Sequence, residues 1–285
     1  MTVARRQIQT IKPIAEGIDF VEGPESNWVL IHDATRVSLI DTGYPADYDL
    51  VLESIRAVGK QPDDLELILI THGHSDHIGN AAKLSEQFGA RVLCHQLELP
   101  NVHRTELHQV GVRDALRKLF SFGVLRWSLR AISSGGLTDV QTSAAEPFDS
   151  REMIRISGRQ VMTVVTAGHT PGHCAYWFER AQVLVTGDAL VSAHPTLKAF
   201  GLQILPRMFH ANYSAAIDSL GELALTSPVT VLPGHGPAVT VEAGFTNILA
   251  AAATDFSRRR RPSKANASRE AARRKTGSGR VVREL

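Results

Sequence analysis

An α/β fold is predicted for this chain by three observations. Short apolar, β-branched runs recur along it and alternate with stretches of helical periodicity. Five of these runs end in a glycine or proline turn that carries a histidine or an aspartate. The length, 285 residues at 43% hydrophobic and 21% charged, is enough to bury a large core, and one domain accommodates it.

Taken in order, residues 18–22 and 27–31 read as opening strands around a Gly23-Pro24 turn. Residues 36–40 form a strand leading into Asp41-Thr42-Gly43. Residues 46–59 carry a helical pattern through Leu50, Val51, Ile55 and Val58 and stop at Gly59. Residues 65–70 are a buried strand that runs into Thr71-His72-Gly73-His74-Ser75-Asp76-His77. A helix over 80–88 follows, with Ala81, Leu84 and Phe88 on one side. Residues 153–156 and 160–166 form a hairpin across Ser157-Gly158-Arg159, and its second strand leads into Ala167-Gly168-His169-Thr170-Pro171-Gly172-His173. Residues 182–186 lead into Gly187-Asp188. Residues 212–226 are helical, and 229–233 lead into Gly234-His235-Gly236. There is no internal repeat.

The richest of these turns reads H-x-H-x-D-H. It packs three imidazoles and a carboxylate into six positions at the end of a strand, a donor set for a transition metal, zinc first. His72 and His74 are two apart and lean the same way in an extended segment. Asp76 and His77 are adjacent and do not easily aim at the same point as that pair. Two ions, each taking two of the four, relieve the crowding, and each then needs ligands from elsewhere. His169, Asp188 and His235 stand at other strand ends, and any one of them alone would be an ordinary loop residue.

The ordered set D-T-G, H-x-H-x-D-H, G-H-T-P-G-H, G-D and P-G-H-G resembles the metallo-β-lactamase superfamily of hydrolases over about residues 20–240. The resemblance implies a four-layer αβ/βα sandwich with the site at the sheet edges. It also implies a ligand set: His72, His74 and His169 for one ion, Asp76, His77 and His235 for the other, and Asp188 bridging them. Asp41 is implied to hold a ligand imidazole in place. Five neutral imidazoles and two carboxylates carry about −2. Two divalent ions bring about +4 and leave room for a bridging hydroxide and an anionic transition state. The cofactors expected are thus two divalent ions, zinc first, with iron or manganese as alternatives.

Other features bound the function. Cys94 and Cys174 are the only cysteines, which speaks against a disulfide framework and for a reducing compartment. Cys174 reads as a small buried residue at a strand start, and His173 as a structural residue instead of a ligand. The first residues are basic with no apolar run behind them, unlike a secretory signal, and no run of 18 apolar residues occurs. A cytoplasmic location is the default expectation. Residues 1–253 form the expected hydrolase domain. Residues 254–285 hold 11 Lys and Arg against 3 acids, a net +8, against −6 for the rest of the chain (20 basic, 26 acidic). This basic tail, with its Arg258-Arg259-Arg260-Arg261 run, could hold nucleic acid. A solvated tail is the preferred reading, because no aromatics interleave with the charges.

Two segments outside the motifs are strongly apolar. Residues 96–140 carry Leu107, Val110, Leu116, Leu119, Phe120, Val124, Leu125, Trp127, Leu129 and Ile132, and 190–211 carry Leu197, Phe200, Leu202, Ile204, Leu205, Met208 and Phe209. They read as caps over the site, as ordinary core, or as a homodimer interface.

The expected enzyme is a dinuclear metal-dependent hydrolase. It attacks a carbonyl (ester, thioester or lactone) of a small, partly apolar substrate with a metal-bound hydroxide. Asp76 or Asp188 manages the proton. His210 and Tyr213 fall in the interval for a leaving-group acid, although a helix surface suits both better. Within the family, zinc β-lactamases generally lack the aspartate found here at Asp188. Hydroxyacylglutathione hydrolases and acyl-homoserine lactonases share the full ligand set. The alternatives are a phosphodiesterase or nuclease that uses the tail, and a mononuclear iron persulfide dioxygenase that needs only His72, His169 and Asp188. A non-catalytic metal-binding module ranks last.

Overall fold

The structure is a computed structural model, described over residues 6–109, 122–199, 201–223 and 229–241. Its strands form two mixed sheets. The first holds β1 (Thr10–Ala15), β2 (Ile18–Glu22), β3 (Asn27–His32), β4 (Val37–Ile40), β5 (Leu65–Leu69), β6 (Arg91–His95) and β7 (Ala145–Phe148), side by side in chain order. The second holds β8 (Met153–Ile156), β9 (Arg159–Val165), β10 (Cys174–Phe178), β11 (Val183–Gly187), β12 (Val229–Pro233) and β13 (Val239–Val241), also in order. β1 to β4 pair antiparallel, and β4 to β7 pair parallel. In the second sheet only β11 and β12 run parallel.

Parallel neighbours require a crossover, and helices supply it. α1 (Tyr48–Ala57) joins β4 to β5, and α2 (Ala81–Phe88) joins β5 to β6. Between β6 and β7 lie the single turn α3 (Leu99–Val102) and α4 (Phe122–Ser133). α5 (Tyr213–Asp218) stands between β11 and β12.

Side-chain alternation builds the layers. On β3, Val29 and Ile31 face the second sheet, while Trp28 and Leu30 face α1 and α2. On β5, Leu67 and Leu69 face inward and Leu65 and Ile68 outward. The second sheet answers with Cys174, Tyr176, Phe178, Val183 and Val185 inward, while Ala175, Trp177 and Leu184 pack outward on Leu220 and Leu223. Helices, sheet, sheet and helix make the four-layer αβ/βα sandwich. The Tyr176 hydroxyl donates to Ile70 O at 2.7 Å and links the sheets through the buried seam.

The helix read over 212–226 is α-helical only to Asp218. Ser219 and Gly221, poor helix formers, follow it, and the chain tightens into a 3-10 turn over Ser219–Leu223. Residues 224–226, part of the apolar stretch 96–140 (Val110, Leu116, Leu119 and Phe120), Phe200 and the basic tail 254–285 lie outside the described residues. Among the described residues no helix is long and apolar enough to cross a membrane.

Candidate metal centre

Five loops build the centre, and each leaves the C-terminal end of a strand. Asp41 follows β4, His72 to His77 follow β5, His169 follows β9, Asp188 follows β11 and His235 follows β12. The rigid strands fix where each loop begins. The carboxyl ends of parallel strands are where such folds leave room for chemistry.

The sequence-predicted residues converge. Donor atoms of His72, His74 and His169 lie within 4.8 Å of one another, as do those of Asp76, His77 and His235. A third set, His72, His77 and Asp188, joins the two. His169 Nε2 lies 3.1 Å from His74 Nδ1 and 3.5 Å from Asp188 Oδ2. His235 Nε2 lies 3.4 Å from that same Asp188 oxygen and 3.4 Å from Asp76 Oδ2. His77 Nε2 lies 3.5 Å from Asp188 Oδ1.

The outward nitrogens of His72, His74, His77 and His235 are anchored, which fixes their inward ones as lone pairs, while His169 Nδ1 is buried without a partner among the described residues. His77 Nδ1–H donates to Asp41 Oδ2 at 2.8 Å. His72 Nδ1–H donates to the Thr71 hydroxyl at 3.0 Å, which itself donates to Asp41 Oδ2 at 2.7 Å. His235 Nδ1–H donates to Glu25 O at 2.8 Å, and His74 Nε2–H to His108 O at 2.6 Å. This leaves His72 Nε2, His77 Nε2 and Asp188 Oδ1 buried without a hydrogen-bond partner among the described residues. Orphaned, converging lone pairs of this kind are costly unless a cation takes them. The donor set fits a transition metal.

Electrostatics agree. Burial holds His72 and His169 well below the usual imidazole range. At His77 burial pulls the same way, but Asp76, Asp188 and Asp41 overcome it and raise the ring to about 9. His235 is raised well above the usual range, with Asp188 and Asp76 outweighing its burial. Asp76 falls to about 2, because His77 and His235 outweigh its own burial. The two carboxylates thus demand positive charge, supplied by imidazolium protons or by metal.

Residues without a motif hold the loops. Glu98 is fully buried and accepts four hydrogen bonds: Gly73 N–H at 2.7 Å, Asn101 Nδ2 at 2.8 Å, Thr170 Oγ1 at 2.7 Å and Gly172 N–H at 2.9 Å. It pins the 72–77 loop to the 169–173 loop. Asn27 donates to Pro233 O and Gly236 O and fixes the loop of His235. A lone acid or amide in an apolar run carries no spacing signal, so sequence reasoning missed both. His173 is no ligand: its Nδ1–H donates to Thr166 Oγ1 at 2.7 Å, and its Nε2 accepts the Asp188 N–H at 3.1 Å. Cys174 is the buried first residue of β10, and both cysteines are free. Gly234 admits no side chain, since a Cβ there would sit 2.3 Å from Asp188 Oδ1.

Above the centre lies a cavity of about 390 Å³. Asp76, His74, His169, Asp188 and His235 border it. Leu125, Trp127, Leu129 and Ile132 from α4 line it together with Leu205 and Phe209, and the Trp127 and Phe209 rings meet edge-on with centroids 5.0 Å apart. Both apolar segments thus contribute walls to the cavity. His210 is not on a helix surface: it precedes α5 and packs edge-on to His169, with ring centroids 5.1 Å apart, while Nε2–H donates to Leu205 O. Tyr213 begins α5, its ring 5.2 Å from that of His210. The motif reading also passed over His194, which lies on the loop after β11 and lines the cavity. Its signal was its place six residues beyond Asp188.

Such a sandwich, with histidines and aspartates gathered at its strand ends, defines a metal-dependent hydrolase class. The sequence profile described as the metallo-beta-lactamase superfamily matches residues 22–235, and the chain belongs to that superfamily. Among curated relatives, the "Probable metallo-hydrolase YybB" of Bacillus subtilis is 27% identical over 224 residues, 75% of this chain and 81% of that protein. The hydroxyacylglutathione hydrolase GloC of Haemophilus influenzae is 25% identical over 73% of this chain and 84% of its own length. Among solved structures, a metallo-beta-lactamase family protein from Thermus thermophilus, TTHA1429, superposes with a TM-score of 0.61 at 21% identity, covering 86% of this chain and 81% of that one.

Proposed function

We propose that this protein hydrolyses a carbonyl bond (ester, thioester or lactone) in a small, partly apolar substrate, at a pair of divalent ions. One observation carries the dinuclear reading: the Asp188 carboxylate reaches both triads, with Oδ2 near His169 on one side and near His235 on the other. His72, His74 and His169 would hold one ion, Asp76, His77 and His235 the second, and Asp188 would bridge. The mixed nitrogen and oxygen donors favour zinc, with iron or manganese as alternatives. Bound ions of this kind supply a water nucleophile at neutral pH and polarise a carbonyl.

The chain's own groups do the rest. The Leu125, Trp127, Leu129 and Phe209 walls take an apolar portion of the substrate and strip water from it. Asp76, whose side chain opens partly to solvent at the cavity floor, is placed to take the proton of the attacking water on the carboxylate oxygen that is not turned to His77 and His235. Asp41 and Thr71 keep His72 and His77 in the tautomers that leave Nε2 free.

The test pairs metal content per chain with a panel of chromogenic esters, thioesters, lactones and phosphodiesters. Two ions per chain and carbonyl turnover are expected. Asp188→Ala should fold yet lose turnover. Phosphodiester cleavage alone would overturn the reading, as would one iron per chain with oxygen consumption.

A further inference from the structure

His194 lies beside the metal centre without being one of its donors. Its ring sits edge-on to His235 with centroids 5.1 Å apart, and Phe209 and Trp127 hold it at 5.2 and 6.3 Å. It borders the same cavity as Asp76 and Asp188.

Its hydrogen-bond pattern fixes where its proton is. The Thr196 backbone N–H reaches His194 Nδ1 at 3.3 Å, and the Thr196 hydroxyl lies 2.7 Å from the same nitrogen. A backbone amide only donates, so Nδ1 is an acceptor and carries no hydrogen. The neutral ring therefore keeps its hydrogen on Nε2. That Nε2 makes no hydrogen bond among the described residues, and unlike His72 Nε2 and His77 Nε2 it is not sealed from solvent. An aromatic-clamped ring thus holds an N–H without a partner on a residue that lines the apolar cavity above the centre and also a neighbouring, more polar one.

We propose that His194 is a further catalytic residue, whose Nε2–H donates to the substrate oxygen that gains negative charge when the carbonyl is attacked. The inference rests on the carbonyl-hydrolase reading. It is a donor's role and not an acid's. To release the Nε2 proton, the neutral ring would have to accept another at Nδ1, and the Thr196 amide occupies that lone pair. No bond to His194 forms or breaks. The hydrogen bond strengthens as charge grows on the oxygen and relaxes when the carbonyl re-forms.

The metal-loaded enzyme tests this with two variants. His194→Phe keeps the aromatic packing and removes the donor, while His194→Gln keeps an N–H of similar reach. Removing one such donor should lower kcat by about 10²–10³-fold, with KM little changed. The glutamine variant should recover most of that loss. The decrease should be equal for nitrophenyl and alkyl esters, because the donor acts on the carbonyl oxygen. Metal content and melting temperature should match wild type, and His194→Met replaces the phenylalanine variant if that one fails to fold.

Wild-type kcat in the phenylalanine variant would overturn the proposal, as would a loss confined to poor leaving groups. Calorimetric binding of hexanoate tests the donor without turnover. It should be roughly tenfold weaker in His194→Phe than in His194→Gln or wild type; equal binding in all three would overturn the assignment. A wild-type enzyme inactive on every carbonyl substrate would instead sink the hydrolase reading, which separates the two failures.

Discussion

Asp41→Asn changes one atom and should disable a ligand that it does not replace. Asp41 has left-handed backbone, φ +61°, a conformation asparagine also accepts, so the loop should keep its course. Its Oδ1 takes the Thr71 N–H at 2.8 Å, and its Oδ2 takes the Thr71 hydroxyl at 2.7 Å and His77 Nδ1–H at 2.8 Å. An amide that keeps its oxygen on the Thr71 N–H turns its NH2 toward His77. Two donors then face each other. The ring relieves this by moving its proton to Nε2, the nitrogen 3.5 Å from Asp188, where a proton blocks a cation. Loss of such an outer partner typically costs 10–100-fold in metal affinity, or about 1.4–2.7 kcal/mol.

A second effect opposes this at neutral pH. Asp41 also helps hold the metal-free His77 at about 9, so the variant gives up that proton to an incoming ion more readily. The assay is therefore a zinc titration against a competing chelator at pH 7 and again above pH 9. About a unit above pH 9 His77 is mostly neutral in both proteins, only the tautomer separates them, and the full 10–100-fold deficit should appear. At pH 7 it should be smaller. Equal affinity above pH 9, with the fold intact, would refute the tautomer argument.

Three further outcomes are expected. Glu98→Gln turns an NH2 toward two of four buried donors. A hydroxyl such as that of Thr170 can reorient but a backbone N–H cannot, so urea unfolding should show a loss of about 2–4 kcal/mol; a loss under about 1 kcal/mol would contradict the pinning role. Gly234→Ala places a Cβ 2.3 Å from Asp188 Oδ1 and 2.8 Å from His77 Cε1, so metal content should fall below the wild-type value while far-ultraviolet circular dichroism stays unchanged; full loading would refute the steric reading. Chelation should lower both activity and melting temperature, and reloading zinc at pH 7 should release protons from His77 and His235. The sign follows from the raised folded value. The charge on His77 stabilises the metal-free fold below its unfolded pKa of about 6.5, and that contribution fades as pH climbs through about 9. Calorimetry in buffers of different ionisation enthalpy reads the protons, and a heat independent of buffer would count against the metal-free charge state.

What was legible in the sequence follows physical strength of signal. β3, β5 and β11 are buried on both faces and read as continuous apolar runs, so they were found nearly to the residue. β1, with Pro13 and mostly solvent-facing side chains, and β7, with Pro147, lie at the two edges of their sheet, where proline is tolerated and burial is partial. Neither pattern nor propensity marks such strands. The donor histidines and aspartates were readable because their chemistry is rare and their turns are glycine-marked. Glu98, Asn27 and Glu25 were not. Their function depends on which loop lies opposite, a matter of tertiary approach that no local window contains.

That asymmetry has a structural reason. The two halves of the sandwich each bring an incomplete set of donors. The first sheet delivers His72, His74, Asp76 and His77, and the second delivers His169, Asp188 and His235. Contacts between the halves hold the sets in register: Glu98 reaches over to Thr170 and Gly172, Asn27 and Glu25 hold the loop of His235, and the Thr71 O accepts the Cys174 N–H at 2.9 Å. The site therefore depends on the seam between the sheets more than on any one loop. A substitution that shifts the sheets should disturb both triads together with the Asp188 bridge, because each triad takes two donors from the first half and one from the second, and the Asp188 oxygens face donors of both.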